Sequence, residues 1–246
     1  MGGLSPTWVL MGVVLVAWPL YSAWSWPRRR QVLQSGDPDV RRRVTLGTIA
    51  RQWTLAAAVG SAWWWEGRSL EVLRVTTVPD GWQWAAVGVG AGLGLWFARN
   101  SLAAAADPEA RAMARQIVDP ALLSLMPQTP TERLRFDALA VTAGICEEFL
   151  FRGVLWALLL PWIEGAAALL VTSVAFGMAH LYQGRRGMLR TGMVGAVLGG
   201  LAWASGTLWL VVVLHAVVDM VQGRLLAAAA AERWCGGPDV PPQLHG

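Results

Sequence analysis

Apolar residues recur along the chain in runs of roughly twenty, the length a helix needs to cross the hydrocarbon core of a bilayer. Short polar segments separate the runs. They predict membrane spans at 8–26, 47–65, 82–99, 136–160, 163–181, 189–206 and 208–223. The last two are short and meet at Ser205-Gly206-Thr207, which reads as a tight helical hairpin. The predicted fold class is all-α, a polytopic membrane helical bundle of about seven transmembrane helices, or about eight if Leu122–Met126 belongs to a re-entrant piece. The first run, Trp8 to Trp26, is followed by no small-residue cleavage pattern and reads as a retained helix rather than a signal peptide.

Between the runs, segment 66–81 mixes Leu70, Val72, Leu73 and Val75 with Glu and Arg, so it is expected to lie along the interface as a short amphipathic piece. Segment 101–135 is polar and carries Pro108, Pro120, Pro127 and Pro130. It reads as a cytoplasmic connector between N-terminal helices, 1–100, and a catalytic helical core, 136–223. The tail, 224–246, holds Pro238, Pro241, Pro242 and His245 and is expected to be disordered and cytoplasmic.

Composition supports a membrane setting: 55% of residues are hydrophobic and 15% charged, against about 25% charged in a soluble domain. All the basic charge is arginine, spread in clusters between apolar runs. One basic patch would suggest nucleic acid; this distribution suggests loops flanking spans, and no nucleic-acid partner is expected. Arg28–Arg30 and Arg41–Arg43 follow the first span. Arg111, Arg115, Arg133 and Arg135 follow the third, Arg185, Arg186 and Arg190 the fifth, Arg224 and Arg233 the seventh. Only Arg68 and Arg74 lie on the opposite side. The positive-inside rule then predicts a multi-pass inner (cytoplasmic) membrane protein with its N-terminus outside and its C-terminus in the cytoplasm. Tryptophans such as Trp24, Trp26, Trp63, Trp64, Trp65, Trp82 and Trp84 cluster near span ends, as in an aromatic belt. Cys146 and Cys235 read as small apolar fillers, not a disulfide.

Against this background a few side chains stand out. Ionisable groups deep in a membrane helix cost at least about 2.5–3.5 kcal/mol each. The fourth span nevertheless carries Glu147, Glu148 and Arg152, the fifth His180, the seventh His215 and Asp219. Glu148 and Arg152 are four residues apart, in the favourable order for a pair on one helix face. Glu147 then points about 100° away, free for a separate task. His215 and Asp219 repeat the spacing, and an acceptor beside a histidine fixes its ring and tautomer. Phe176 stands four residues before His180 and would wall the site. A single such pair is often a structural clamp, but serine or threonine would glue helices more cheaply than a carboxylate doublet. Counted at about 1.5 Å per residue from the flanking arginines, Glu147, His215 and His180 do not fall at one level, so tilted helices or a water-filled cone must bring them together.

EEFLFR (Glu147–Arg152), FGMAH (Phe176–His180) and HAVVD (His215–Asp219) resemble, in order and separation, the motifs of the CAAX-processing and bacteriocin-processing (CPBP, or Abi) family, which includes the type II CAAX prenyl endopeptidases. The resemblance covers roughly residues 130 to 223. It departs at Asp219, where the eukaryotic prenyl proteases use asparagine. It implies an intramembrane endopeptidase cleaving a membrane-associated or lipidated protein or peptide. Glu147 and His180 would activate a water, Glu148 and Arg152 organise the site, and His215 and Asp219 complete it. Glu147, His180 and His215 could also supply three ligands to a divalent metal such as zinc; a metal-free glutamate mechanism is equally consistent with these residues. There is no HExxH, and Trp203 precedes Ala204-Ser205-Gly206 where a rhomboid would have its Gly-x-Ser-Gly motif. Ser205 reads as a turn residue. Two other functions fit the pattern less well: a non-catalytic scaffold or bacteriocin-immunity protein on the same fold, and an ion-coupled transporter.

Overall fold

The computed structural model describes residues 5–236, and among them every regular element is a helix. α1 (Pro6–Leu33) runs through a π turn at Val13–Ala17. α2 (Pro38–Trp65) follows, then a 3-10 turn at Glu71–Leu73 and α3 (Gln83–Ala106). Two short helices, α4 (Pro108–Ile117) and α5 (Pro120–Ser124), precede α6 (Pro130–Glu148). α6 continues through a π segment, Phe149–Leu155, into α7 (Trp156–Leu159). α8 (Gly165–Ala179), α9 (Gly184–Ser205) and α10 (Trp209–Gly236) complete the chain. His245 and the prolines Pro238, Pro241 and Pro242 lie outside the described residues, as does the side chain of Cys235.

Four helix starts share one device. Asp37, Asp107 and Asp119 each precede a proline, and each carboxylate accepts the backbone N–H two residues on. Proline loses nothing at the first helical position, where its missing N–H would have had no partner. Thr129 before Pro130 forms a reciprocal capping box with Glu132. Pro108, Pro120 and Pro130 therefore begin helices, and segment 101–135, expected as a polar connector, is largely helical. The final helix was expected to stop at 223 but runs on to Gly236. Ala227–Ala231 are strong helix formers, and Glu232 beyond them is ion-paired to Arg111 and Arg115.

Two helices, Pro6–Leu33 and Trp209–Glu232, are long and apolar enough to cross a membrane. A third span results if Gly165–Ala179 and Leu181–Ser205, bent by 59°, are counted as one. The expected count of about seven goes beyond this. Helices cover the other predicted spans, but Arg51 and Gln52 interrupt α2, and Glu147, Glu148 and Arg152 interrupt the stretch from α6 to α7. The outer surface is strongly apolar: Leu20, Trp24, Trp96, Leu170, Val174 and Val197 all face outward. Such surface on separate helices is what lipid contact requires.

The core lies around the π segment. Leu150, Phe151, Val154, Leu155 and Leu158 pack with Met11 and Val14 of α1, Val59 and Trp63 of α2, and Phe176 of α8. Leu73 of segment 66–81 is fully buried in the same cluster, whereas Leu70, Val72 and Val78 of that segment are exposed. Its Arg74 carbonyl accepts from Leu208 N–H (3.2 Å), and its Val75 carbonyl from the Trp209 indole (2.7 Å). Leu123 and Met126 pack on Ala227 and Ala230 of α10. That piece is a short helix capping α10, not a re-entrant span. Arginines from separate segments meet at one end of the molecule, where Arg30 pairs with Asp119, Arg41 with Glu132, and Arg224 with Asp137.

Candidate active site

Close backbone approaches bring the helices of the site together. At Gly144 a Cβ would stand 2.7 Å from the Val212 carbonyl oxygen, so α6 and α10 touch backbone to backbone one turn before the carboxylates. At Gly195 a Cβ would stand 2.9 Å from both Arg152 Nη2 and Phe176 Cδ1. α9 thus comes near enough for the Gly195 carbonyl to accept from Arg152 at 2.8 Å. α8 ends at Ala179 and the chain bends, placing His180 at the break and not within a straight span. The π segment after Glu148 and this bend, rather than tilt alone, gather side chains that a straight-helix count puts at different depths.

Glu148 is the buried hub. Its Oε1 accepts from Arg152 Nη1 at 3.0 Å and lies 2.8 Å from His215 Nδ1. Both Glu148 and Arg152 are sealed from solvent, and the Arg152 guanidinium also sits 4.3 Å over the Phe176 ring. Phe176 packs against both imidazoles, with ring centres 5.0 Å from His180 and 5.9 Å from His215. A histidine acceptor was expected from Asp219, but Glu148 on a different helix fills that place. Asp219 Oδ2 stands 3.7 Å from His215 Nε2, beyond hydrogen-bond reach.

The two histidines are oriented alike. His180 Nδ1 is 2.9 Å from the Phe176 carbonyl, which can only accept, so this nitrogen carries its hydrogen. His215 Nδ1 likewise donates to the Glu148 carboxylate. Both Nε2 atoms therefore point away from their anchors, and both face Glu147: its Oε2 lies 4.0 Å from His180 Nε2 and 3.9 Å from His215 Nε2. The Glu147 carboxylate and both imidazoles thus converge on one space. The site opens on the Asp219 side, whose side chain is 40% exposed against 8% for His215. Asp219 lies roughly 8 Å along α10 from Arg224, so the opening faces the arginine-rich end.

Glu147, His180 and His215 are the right donor types for zinc, but their spacing is too wide. A tetrahedral ion with bonds of about 2.0–2.2 Å needs ligand atoms about 3.3–3.6 Å apart. No group of three or more His, Cys, Asp or Glu among the described residues is arranged to hold a metal.

Residues 130–221 match the family model described as type II CAAX prenyl endopeptidase Rce1-like. The Rce1-like segment runs from the first residue of α6 into α10, and it contains Glu147, Glu148, Arg152, Phe176, His180, His215 and Asp219. The resemblance read from the three motifs holds over this range. It points to a protease, and with the outward apolar helices it marks the chain as a membrane protein. Comparison with curated proteins and with solved structures returned no match.

One contact of the site lies outside the Rce1-like segment. Gln52 on α2 donates from Nε2 to Glu147 Oε1 at 2.7 Å. An inventory of ionisable residues passes over an uncharged amide; the available signal was a glutamine beside Arg51 inside a predicted span. Ser205, read as a turn residue, is fully buried and donates to the Thr207 carbonyl at 3.3 Å in the turn after α9. Cys146 is buried and unpaired beside Glu147.

Proposed function

We propose that the chain is an intramembrane endopeptidase that hydrolyses a peptide bond of a membrane-associated or lipidated protein with a water activated by Glu147, without a metal. The observation that carries this reading is the convergence of Glu147 Oε2 with two imidazole Nε2 atoms whose Nδ1–H groups are already committed. Glu147 takes the proton of the water as it attacks the scissile carbonyl, and a carboxylate within hydrogen-bond reach of the water suffices for that. His180, tethered to the Phe176 carbonyl, orients the water. Glu147 then returns that proton to the leaving amine as the C–N bond breaks, while His215, held by Glu148 through Nδ1, enters the step as an imidazolium whose Nε2–H meets the developing oxyanion. Arg152 holds Glu148 in place and takes no part in the reaction. Asp219 stands at the open side, beside the path of the peptide.

The arginine-rich end faces the cytoplasm, so the substrate enters from that side and the N-terminus lies outside. The test uses purified full-length protein in detergent micelles and a quenched-fluorescence peptide ending in a farnesylated Cys-aliphatic-aliphatic-X sequence, alongside its unprenylated counterpart. Cleavage of either probe that survives exhaustive chelation is expected. Cleavage lost on chelation and restored by zinc overturns the metal-free mechanism. No cleavage of either peptide by the wild-type chain counts against the protease reading and favours a scaffold.

A further inference from the structure

We infer that Gln52, which lies outside the Rce1-like segment, is a positioning residue for Glu147: its amide holds one carboxyl oxygen so that the other serves as the base. The inference rests on the reading of Glu147 as the general base. The two oxygens of Glu147 have separate surroundings. Oε1 receives the Gln52 amide N–H at 2.7 Å, whereas Oε2 is the atom facing His180 and His215. A carboxyl group turns readily about its last bond, because that torsion is broad and nearly two-fold. Without the amide, either oxygen could swing toward the histidines, and the geometry of attack would be lost for much of the time.

The choice of an amide has a chemical reason. Arginine or lysine at position 52 would hold Glu147 ionised and lower its affinity for the proton it must take. Glutamate would repel it. An amide is neutral and presents a donor at one end and an acceptor at the other. As drawn, Nε2 faces the carboxylate, and the Gln52 carbonyl oxygen is buried without a partner.

Its helix is held firmly enough for the task. The neighbouring Arg51 guanidinium lies 4.2 Å over the Trp18 ring of α1 and bonds Thr48 Oγ1 at 3.1 Å. At Gly60, two turns on, a Cβ would meet the Phe149 ring at 3.5 Å, so α2 packs closely on the residue that follows Glu148.

The experiment compares the full-length wild type, Gln52→Met, Gln52→Arg and Glu147→Ala on whichever of the two peptides the wild type cleaves. Methionine keeps the length of the side chain and removes the hydrogen bond. Gln52→Met is expected to lose between about ten- and a hundredfold in kcat, the worth of one hydrogen bond to a charged group, with KM changed by less than about twofold. Gln52→Arg is expected to fall further, because it traps the carboxylate. A purely structural role would not separate kcat from KM in this way. A wild-type kcat in Gln52→Met, or a loss confined to KM, overturns the inference while an inactive Glu147→Ala leaves the protease reading standing. An active Glu147→Ala overturns the reading of Glu147 as the base.

Discussion

Charge is handled differently at the arginine-rich end and in the buried site. At the end, two pairs stand partly exposed to solvent: Arg30 reaches Asp119 at 3.2 Å, and Arg224 grips Asp137 at 2.9 and 3.1 Å. In the site, two carboxylates and two imidazoles share one guanidinium. Arg152 is spent on Glu148 and on the Gly195 carbonyl, which leaves Glu147 facing an amide and two imidazoles. The contrast separates two uses of charge. Pairs at the rim fix which end of each helix goes where, and water can replace either partner. In the interior nothing can, so Glu148 and Arg152 depend on each other, and the carboxylate left without a cation is the one available for chemistry.

Breaking the interior pair is the strongest challenge to this contrast. Arg152→Met leaves Glu148 buried with an uncompensated charge and is expected to cost about 3–5 kcal/mol, read as unfolding of the purified protein in detergent. A loss below about 1 kcal/mol would put the interior pair on the same footing as the rim. Gly144→Leu comes next. The added side chain meets the Val212 carbonyl, which is backbone and cannot turn aside. Overpacking of this kind costs about 1–3 kcal/mol. Since it parts α6 from α10, cleavage should fall with stability.

Glu66, at the end opposite the arginine clusters, offers a test by pH. Burial pushes its carboxyl pKa up, but hydrogen bonds from Thr7 N–H, Arg68 and Ser5 outweigh this and hold it at about 2, below the ordinary 4.5. A depressed folded value means the contribution is fully present above about pH 4.5 and is lost as pH falls through about 2. The stability gap between wild type and Glu66→Gln should therefore narrow across that window; a gap independent of pH would contradict it. The smallest effect is expected at the arginine-rich end, where Asp137→Asn should cost no more than about 1 kcal/mol and leave kcat unchanged.

Much of the site could be read from the sequence because its residues are expensive where they stand. Glu147, Glu148, Arg152, His180, His215 and Asp219 were conspicuous in apolar runs, and the i, i+4 spacing gave the Glu148–Arg152 contact directly. Contacts between helices were not legible. That Glu148 rather than Asp219 would hold His215 depends on Gly144 letting α10 approach, and glycine is silent about which backbone it admits. Gln52 was hidden by being neutral. In the fold, Pro108, Pro120 and Pro130 stand in a segment that reads as a polar connector, although Asp or Thr before each makes the pair a helix start. The count of spans rested on treating every apolar helix as a crossing, and charged side chains within α2 and around α6 prevent that reading from length and composition alone.

The central claim is that Glu147 is the base of a peptidase. It is tested most directly by comparing wild type with Glu147→Ala, each purified, inserted and shown to unfold at a similar temperature, on the prenylated and unprenylated peptides. Loss of a general base is expected to lower kcat by about a hundred- to ten-thousandfold with the fold intact. Cleavage by Glu147→Ala at the wild-type rate would contradict it.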